Sequence, residues 1–177
     1  MNKAKETLEA KYPTTKVTTY AASVTDFDRI SAILKEIGKI DILVPNVAAS
    51  HPFVPSGEIS TADYQLTFDT NVIGTFHIIK EFLALQSPGP RVVINVSSAA
   101  GQIVQPGNIG YGPSKAAGNQ IIQHFAQEYV GTDVTFQTFH PGVIRTDYAA
   151  SLSGEDSFDW EDSKYSLCCR IRRWAIY

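Results

Sequence analysis

"RVVINVSSAAGQIVQPGNIGYGPSKAAG" (residues 91–118) decides how this chain folds. Its first eight residues, Arg91 to Ser98, read as a strand built on the β-branched run Val92, Val93, Ile94 and Val96, with no alternation between polar and apolar positions. Such a run is a strand covered on both faces, as in a parallel sheet. At the far end of the stretch, Tyr111 and Lys115 stand four apart and open a helix that should continue to about Val130. That spacing puts both side chains on one helical face. Pro113 falls in the first turn of the helix, where a missing N–H removes no bond. Ser98 ends the strand, thirteen residues before Tyr111.

Working outward, the pattern alternates. Lys3 to Tyr12 reads as a polar surface helix stopped by Pro13. "TKVTTYAA" (Thr15 to Ala22) is rich in β-branched residues and reads as a strand. Asp26 to Gly38 reads as an amphipathic helix. Asp26 is its N-cap, Ile30, Ile33, Leu34 and Ile37 form its apolar face, and Gly38 ends it. "DILVPNV" (Asp41 to Val47) is a short strand, and "DILV" should be buried on both faces. Ser60 to Leu85 reads as one long helix capped at Ser60 or Thr61, and "VTFQTFHP" (Val134 to Pro141) is the last strand. Helices alternating with strands give an α/β fold, a Rossmann-type doubly wound parallel sheet with helices on both faces.

Bulk properties exclude several roles. The 177 residues suit one domain, and a net charge of -3 offers no basic field for nucleic acid. "RIRRW" (Arg170 to Trp174) reads as a solvated cluster. Cys168 and Cys169 are adjacent and make neither a disulfide framework nor a zinc site, and the four histidines lack metal-type spacing. "NVS" at Asn95 ends an apolar strand and reads as no glycosylation acceptor. There is no secretory leader and no apolar run near ~18 residues, so the sequence points to a cytoplasmic protein with no membrane partner.

In an open parallel sheet the ligand crevice lies beyond the carboxyl ends of the strands. Ser97 and Ser98 sit at one such end, Asn46 at another, and His140 to Thr146 follow a third. A free tyrosine has a pKa near ~10, too high for efficient proton transfer at neutral pH. A neighbouring ammonium favours the phenolate, and so Lys115 is expected to lower the value for Tyr111. A serine hydroxyl opposite them can hold a carbonyl or alcohol oxygen while a hydride moves at its carbon.

Taken together, these pieces resemble the short-chain dehydrogenase/reductase family. "INVSSAAG" looks like its serine strand, with Ser98 in the catalytic position, and "YGPSK" looks like its Tyr-x-x-x-Lys element. "DTNVIGTFHII" looks like the helix that carries a fourth catalytic group, here Asn71. "FHPGVIRTD" looks like the Pro-Gly-x-x-x-Thr element, implying that Pro141, Gly142 and Thr146 lie at the nicotinamide. The resemblance makes Tyr111 the general acid/base, Ser98 the oxygen holder, Lys115 the tyrosine activator and ribose binder, and Asn71 the support of a proton relay. It also places Asn46 and Ser23 at the dinucleotide. Both positions carry departures: Pro45, Val47 and Ala48 replace family residues around Asn46, and Ser23 stands where an aspartate is usual. The implied cofactor is NAD or NADP, and the implied substrate is a small alcohol or ketone. The long helices 60–85 and 111–130 are the family's surfaces for homo-oligomers.

The resemblance covers residues 1–148, and 149–177 read as an irregular tail unlike the family. Strands 1, 2 and 7 of the family sheet have no counterpart, nor does the Thr-Gly-x-x-x-Gly-x-Gly turn. That turn meets the pyrophosphate with backbone N–H groups at a helix N-terminus. Without strands 1 and 2, "TKVTTYAA" must either shift to pair with "DILV" or stay unpaired. The expectation is therefore an oxidoreductase of this family that is inactive as this truncated chain. The alternative is a catalytically dead fragment, either an incomplete gene product or a partner of intact subunits. A sugar-nucleotide epimerase also carries Tyr-x-x-x-Lys, but the Pro-Gly-x-x-x-Thr element counts against it.

Overall fold

The computed structural model describes residues 2–153 and Trp160. In chain order the elements are α1 (Asn2–Lys11), α2 (Phe27–Ile37), β1 (Ile42–Leu43), α3 (Thr61–Phe68), a π-helical segment (Asp69–Gly74), α4 (Thr75–Ala84), β2 (Arg91–Val96), a 3₁₀ turn (Ala99–Gly101), α5 (Tyr111–Glu128), β3 (Val134–Phe139) and α6 (Asp147–Ser153). The strands form one parallel sheet in the order β1-β2-β3. Ile42 pairs with Val92, and β2 pairs with β3 from Arg91–Val134 through Val96–Phe139. The fold is α/β and carries part of a Rossmann-type sheet, as expected.

Several expectations need correction. "TKVTTYAA" is not a strand: residues 15–22 follow an irregular path outside the sheet. Its β-branched content favours extension, but a strand needs a neighbour, and β1 pairs only with β2 among the described residues. The segment is held by side chains instead, with Val17 N donating to Glu9 Oε1 (3.2 Å) and the Tyr20 hydroxyl donating to Glu36 Oε1 (2.9 Å). "DILV" is not covered on both faces: Leu43 is buried, but Ile42 is 59% exposed. The ladder itself shortens to two residues where Pro45 supplies no N–H, although its carbonyl still accepts from Val96 N at 3.1 Å. The long helix from Ser60 is broken by the π-helical segment, and Ser60 caps it, its Oγ accepting from Asp63 N at 3.0 Å. Residues 149–153, expected to be irregular, continue α6, and the rest of that tail apart from Trp160 lies outside the described residues.

Leu43, Ile79, Phe82, Val93, Ile122 and Val134 form the core between the sheet and helices α4 and α5. Phe125, Phe136 and Tyr129 extend it as ring contacts, with centroids 5.6 Å apart for both Phe125–Phe136 and Tyr129–Phe136. α2 packs on α4 through Ile30, Ile33 and Leu34, while Ile37, expected on that face, is 46% exposed. Arg91 closes the C-terminal end of α4, donating to the carbonyls of Phe82 (3.1 Å) and Leu85 (3.2 Å). A cation there meets the negative end of the helix dipole. Phe82 is fully buried, so Phe82→Ala is expected to remove about 3–5 kcal/mol of stability, measured by urea unfolding.

Candidate active site

The carboxyl end of β2 and the first turn of α5 meet because two glycines let backbone approach backbone. A Cβ on Gly112 would lie 2.8 Å from the Ala100 carbonyl oxygen. One on Gly101 would lie 3.0 Å from the backbone of Lys115 and Ala116. Larger residues would push the 3₁₀ turn off the helix, and Ser98 would move away from Tyr111. Ser98 ends the strand and turns the chain, its Oγ accepting from Ala100 N at 3.2 Å. Ser98 faces Tyr111 closely enough for its hydroxyl to favour the phenolate.

Lys115 lies one turn along α5 and is only 8% exposed. Its Nζ donates to the Val96 carbonyl at 2.9 Å and stands 5.6 Å from the centre of the Tyr111 ring. Burial holds the ammonium down at about 8. Tyr111 departs from expectation. Its pKa is raised above the ordinary value: burial drives it up, the Ser98 hydrogen bond opposes this, and Tyr148 adds to the rise. Desolvation of the phenolate outweighs the Ser98 influence, so Tyr111 is a neutral phenol at physiological pH.

The depressed value at Lys115 has a measurable consequence. The folded value lies below the unfolded 10.5, so the unfolded chain binds more protons between pH 8 and 10.5. Stability therefore rises with pH across that window and is lost again as pH falls towards 8. A fall from 10.5 to about 8, at about 1.36 kcal/mol per pH unit, corresponds to about 3 kcal/mol. Urea midpoints at pH 8 and 10.5 are expected to show this gain in the wild type relative to Lys115→Met, which removes it.

Asn71, 4% exposed, sits inside the π-helical segment, a kind of irregularity that recurs at functional sites. Its Oδ1 accepts from Ala49 N (2.7 Å), and its Nδ2 donates to Ala49 O (2.8 Å) and to Ser114 Oγ (2.9 Å). Ser114 Oγ donates in turn to the Tyr111 carbonyl at 2.7 Å. Asn71 thus braces the start of α5 against the loop after β1. Asn71→Asp, which cannot donate to Ala49 O or Ser114, is expected to cost about 1–3 kcal/mol, measured by thermal and urea unfolding.

The remaining sequence-picked positions are more open. Thr146 is exposed and caps α6, its Oγ1 accepting from Ala149 N at 3.1 Å. Gly142 takes a positive φ of 96°, which glycine accommodates without strain, next to the half-buried Pro141. Asn46 is exposed beyond β1. Ser23 is exposed and bonded to Thr25, with 2.7 Å between their hydroxyl oxygens. Sequence reasoning missed Ser114, His51 and Tyr148. Ser114 lies inside "YGPSK" and could have been found from its place one residue before Lys115. The other two make contacts far along the chain, which local pattern does not reveal.

A family model described as short chain dehydrogenase matches residues 1–157. The chain belongs to the short-chain dehydrogenase/reductase family. It is 44% identical to the short chain dehydrogenase/reductase AacuD of Aspergillus aculeatus over 171 residues, which is 97% of this chain and 60% of the relative. It is 41% identical to nsrO of Aspergillus novofumigatus over 165 residues, 90% of this chain and 57% of that protein. The chain thus spans about three fifths of the length of these curated relatives. Among solved short-chain dehydrogenase/reductase structures, one from Burkholderia multivorans with bound NADP matches with a TM-score of 0.72 and 26% identity, covering 86% of this chain and 67% of that one. The 3-oxoacyl-[acyl-carrier protein] reductase of Brucella melitensis in complex with NAD, 22% identical, shares the fold with a TM-score of 0.75, covering 85% of this chain and 63% of that one. Among the described residues, no helix is long and apolar enough to cross a membrane, and no cluster could hold a metal ion.

Proposed function

We propose that this chain carries the proton-transfer half of an alcohol/ketone oxidoreductase. The observation that carries the reading is the half-buried Tyr111 phenol beside Ser98, with the Lys115 ammonium 5.6 Å from the centre of its ring. Ser98 holds the substrate oxygen. Tyr111 donates its proton to that oxygen when a ketone is reduced and takes one back when an alcohol is oxidised. Lys115 keeps N–H donors beyond the one used on Val96, and these suit a ribose hydroxyl beside the phenol. Asn71, through Ser114, keeps the helix start in place.

The residues present fit the nicotinamide and ribose end of NAD or NADP: Lys115 and Tyr111 on α5, Asn46 beyond β1, and Pro141, Gly142 and Thr146 after β3. When bound, that cofactor supplies or accepts the hydride at the substrate carbon. Ser23 is proposed to meet the adenine end. These 177 residues contain no glycine-rich turn for the diphosphate, and so the chain by itself is proposed to turn over little or not at all. Assembly through helices 60–85 and 111–130 has exposed apolar groups to draw on, including Leu66, Ile73 and Phe76, whereas Ile79 and Phe82 are already used in the core.

Grafting a βαβ unit with a family glycine turn onto the N-terminus, then assaying NADH and NADPH oxidation with a panel of ketones, tests the reading. Turnover that requires Tyr111 supports it. A folded graft that binds dinucleotide yet reduces no ketone and oxidises no alcohol contradicts it.

A further inference from the structure

The loop leaving β1 is fastened at three consecutive residues. Ala49 is held through both backbone groups by Asn71. Ser50 is held through both by the Tyr148 hydroxyl, which accepts from Ser50 N (3.0 Å) and donates to Ser50 O (3.3 Å). His51 does the fastening itself. Its side chain reaches across fifty-nine positions of sequence to the backbone amide of Gly110, 3.1 Å from Nε2. Its Nδ1 lies 2.7 Å from the Pro52 carbonyl oxygen. A carbonyl only accepts and an amide N–H only donates. Both bonds therefore exist together in a single form of the ring, neutral with its proton on Nδ1.

Gly110 is the N-cap residue immediately before α5, and no side chain of its own neighbourhood caps that end. The close seat of the imidazole depends on its being glycine. A Cβ there would lie 2.9 Å from His51 Cδ2 and 3.0 Å from Nε2. His51 is 3% exposed, so its acceptor nitrogen meets the amide without competition from solvent. The next residue is Tyr111. Backbone rotation at Gly110 would swing the phenol away from Ser98, because glycine itself imposes little restriction.

We propose that His51 is a positioning residue: its Nε2 accepts the Gly110 amide, fixes the first turn of α5 and thereby aims the Tyr111 phenol at Ser98. The inference rests on the reading of Tyr111 as the proton-transfer group. A clamp of this kind shows itself in two quantities that general core stability does not move together, amide exchange at Gly110 and the titration of the Tyr111 phenol. Both are read on the 177-residue chain without turnover.

His51→Phe keeps a flat ring and removes the acceptor, whereas His51→Gln can place Oε1 near the position of Nε2. In His51→Phe, hydrogen exchange at Gly110 is expected to rise at least about tenfold relative to the Val93 amide in β2, with Tyr111 titrating closer to an ordinary tyrosine. His51→Gln is expected to restore both in part. Unchanged Gly110 exchange, or an unmoved phenol titration, in a folded His51→Phe protein overturns the proposal. Should His51→Phe fail to fold, ¹⁵N NMR of the wild-type imidazole decides: a protonated Nδ1 with a pyridine-like Nε2 supports the clamp, and the opposite tautomer or a cation at neutral pH overturns it. A clamp that passes these tests while Tyr111→Phe leaves catalysis intact in the grafted enzyme would refute the catalytic reading and not the clamp.

Discussion

NADH and NADPH are expected to bind the 177-residue chain weakly, by roughly 10²–10⁶-fold relative to the same chain carrying a glycine turn. The magnitude follows from the bonds at stake. A backbone N–H on a phosphate oxygen is a hydrogen bond to a charged group, worth about 1.5–3 kcal/mol. Losing two or three costs about 3–9 kcal/mol, and each 1.4 kcal/mol is about tenfold in affinity. The contacts proposed for Lys115, Asn46 and the segment after β3 address the other end of the molecule. Titration followed by nicotinamide fluorescence measures the effect directly. About micromolar binding by the ungrafted chain would contradict it.

Tyr111→Phe in the grafted enzyme is expected to lower turnover by about 10²–10⁴-fold, the usual size of a general acid–base contribution. The substitution removes one oxygen and keeps the ring, so the packing of α5 on the 3₁₀ turn survives. Cofactor affinity should hardly change, because Lys115 keeps its bond to Val96. Ser98→Ala should lower turnover in the same assay, because the oxygen then has one holder instead of two. An unchanged rate in Tyr111→Phe would assign proton transfer to another group. Tyr148, whose hydroxyl is tied to Ser50 and which raises the pKa of Tyr111, would be the first to test.

How much of this was legible in the sequence differs by element. The unalternating run at β2 gave away a parallel sheet because a strand covered on both faces has no polar side. The same rule failed at "DILV", where Ile42 is left exposed: apolar residues record what a strand can be covered by, not whether a cover is there. Thr15 to Ala22 failed for a related reason, since β-branched residues favour extension but cannot provide a pairing partner. The spacing of Ser98, Tyr111 and Lys115 was readable because it follows from one strand end and one helix turn. The π-helical break at Asn71 was hidden, because its cross-loop bonds to Ala49 and Ser114 come from tertiary contact and not from helix propensity. The direction of the shift at Tyr111 was also hidden. A neighbouring lysine is visible in the sequence, but the desolvation that drives the Tyr111 value up is not. His51 and Gly110 were invisible as a pair for the same reason, being fifty-nine residues apart with no shared period.

The ionisation of Tyr111 itself tests the central claim most directly. Ultraviolet difference titration of the chain against its Tyr111→Phe variant isolates this phenol from the other tyrosines. The account predicts that Tyr111 ionises above the ordinary tyrosine value and moves higher still in Ser98→Ala, because the serine bond is the one influence holding it down. A phenol that ionises below the ordinary value, or that ignores Ser98, would show that Tyr111, Ser98 and Lys115 do not share one site.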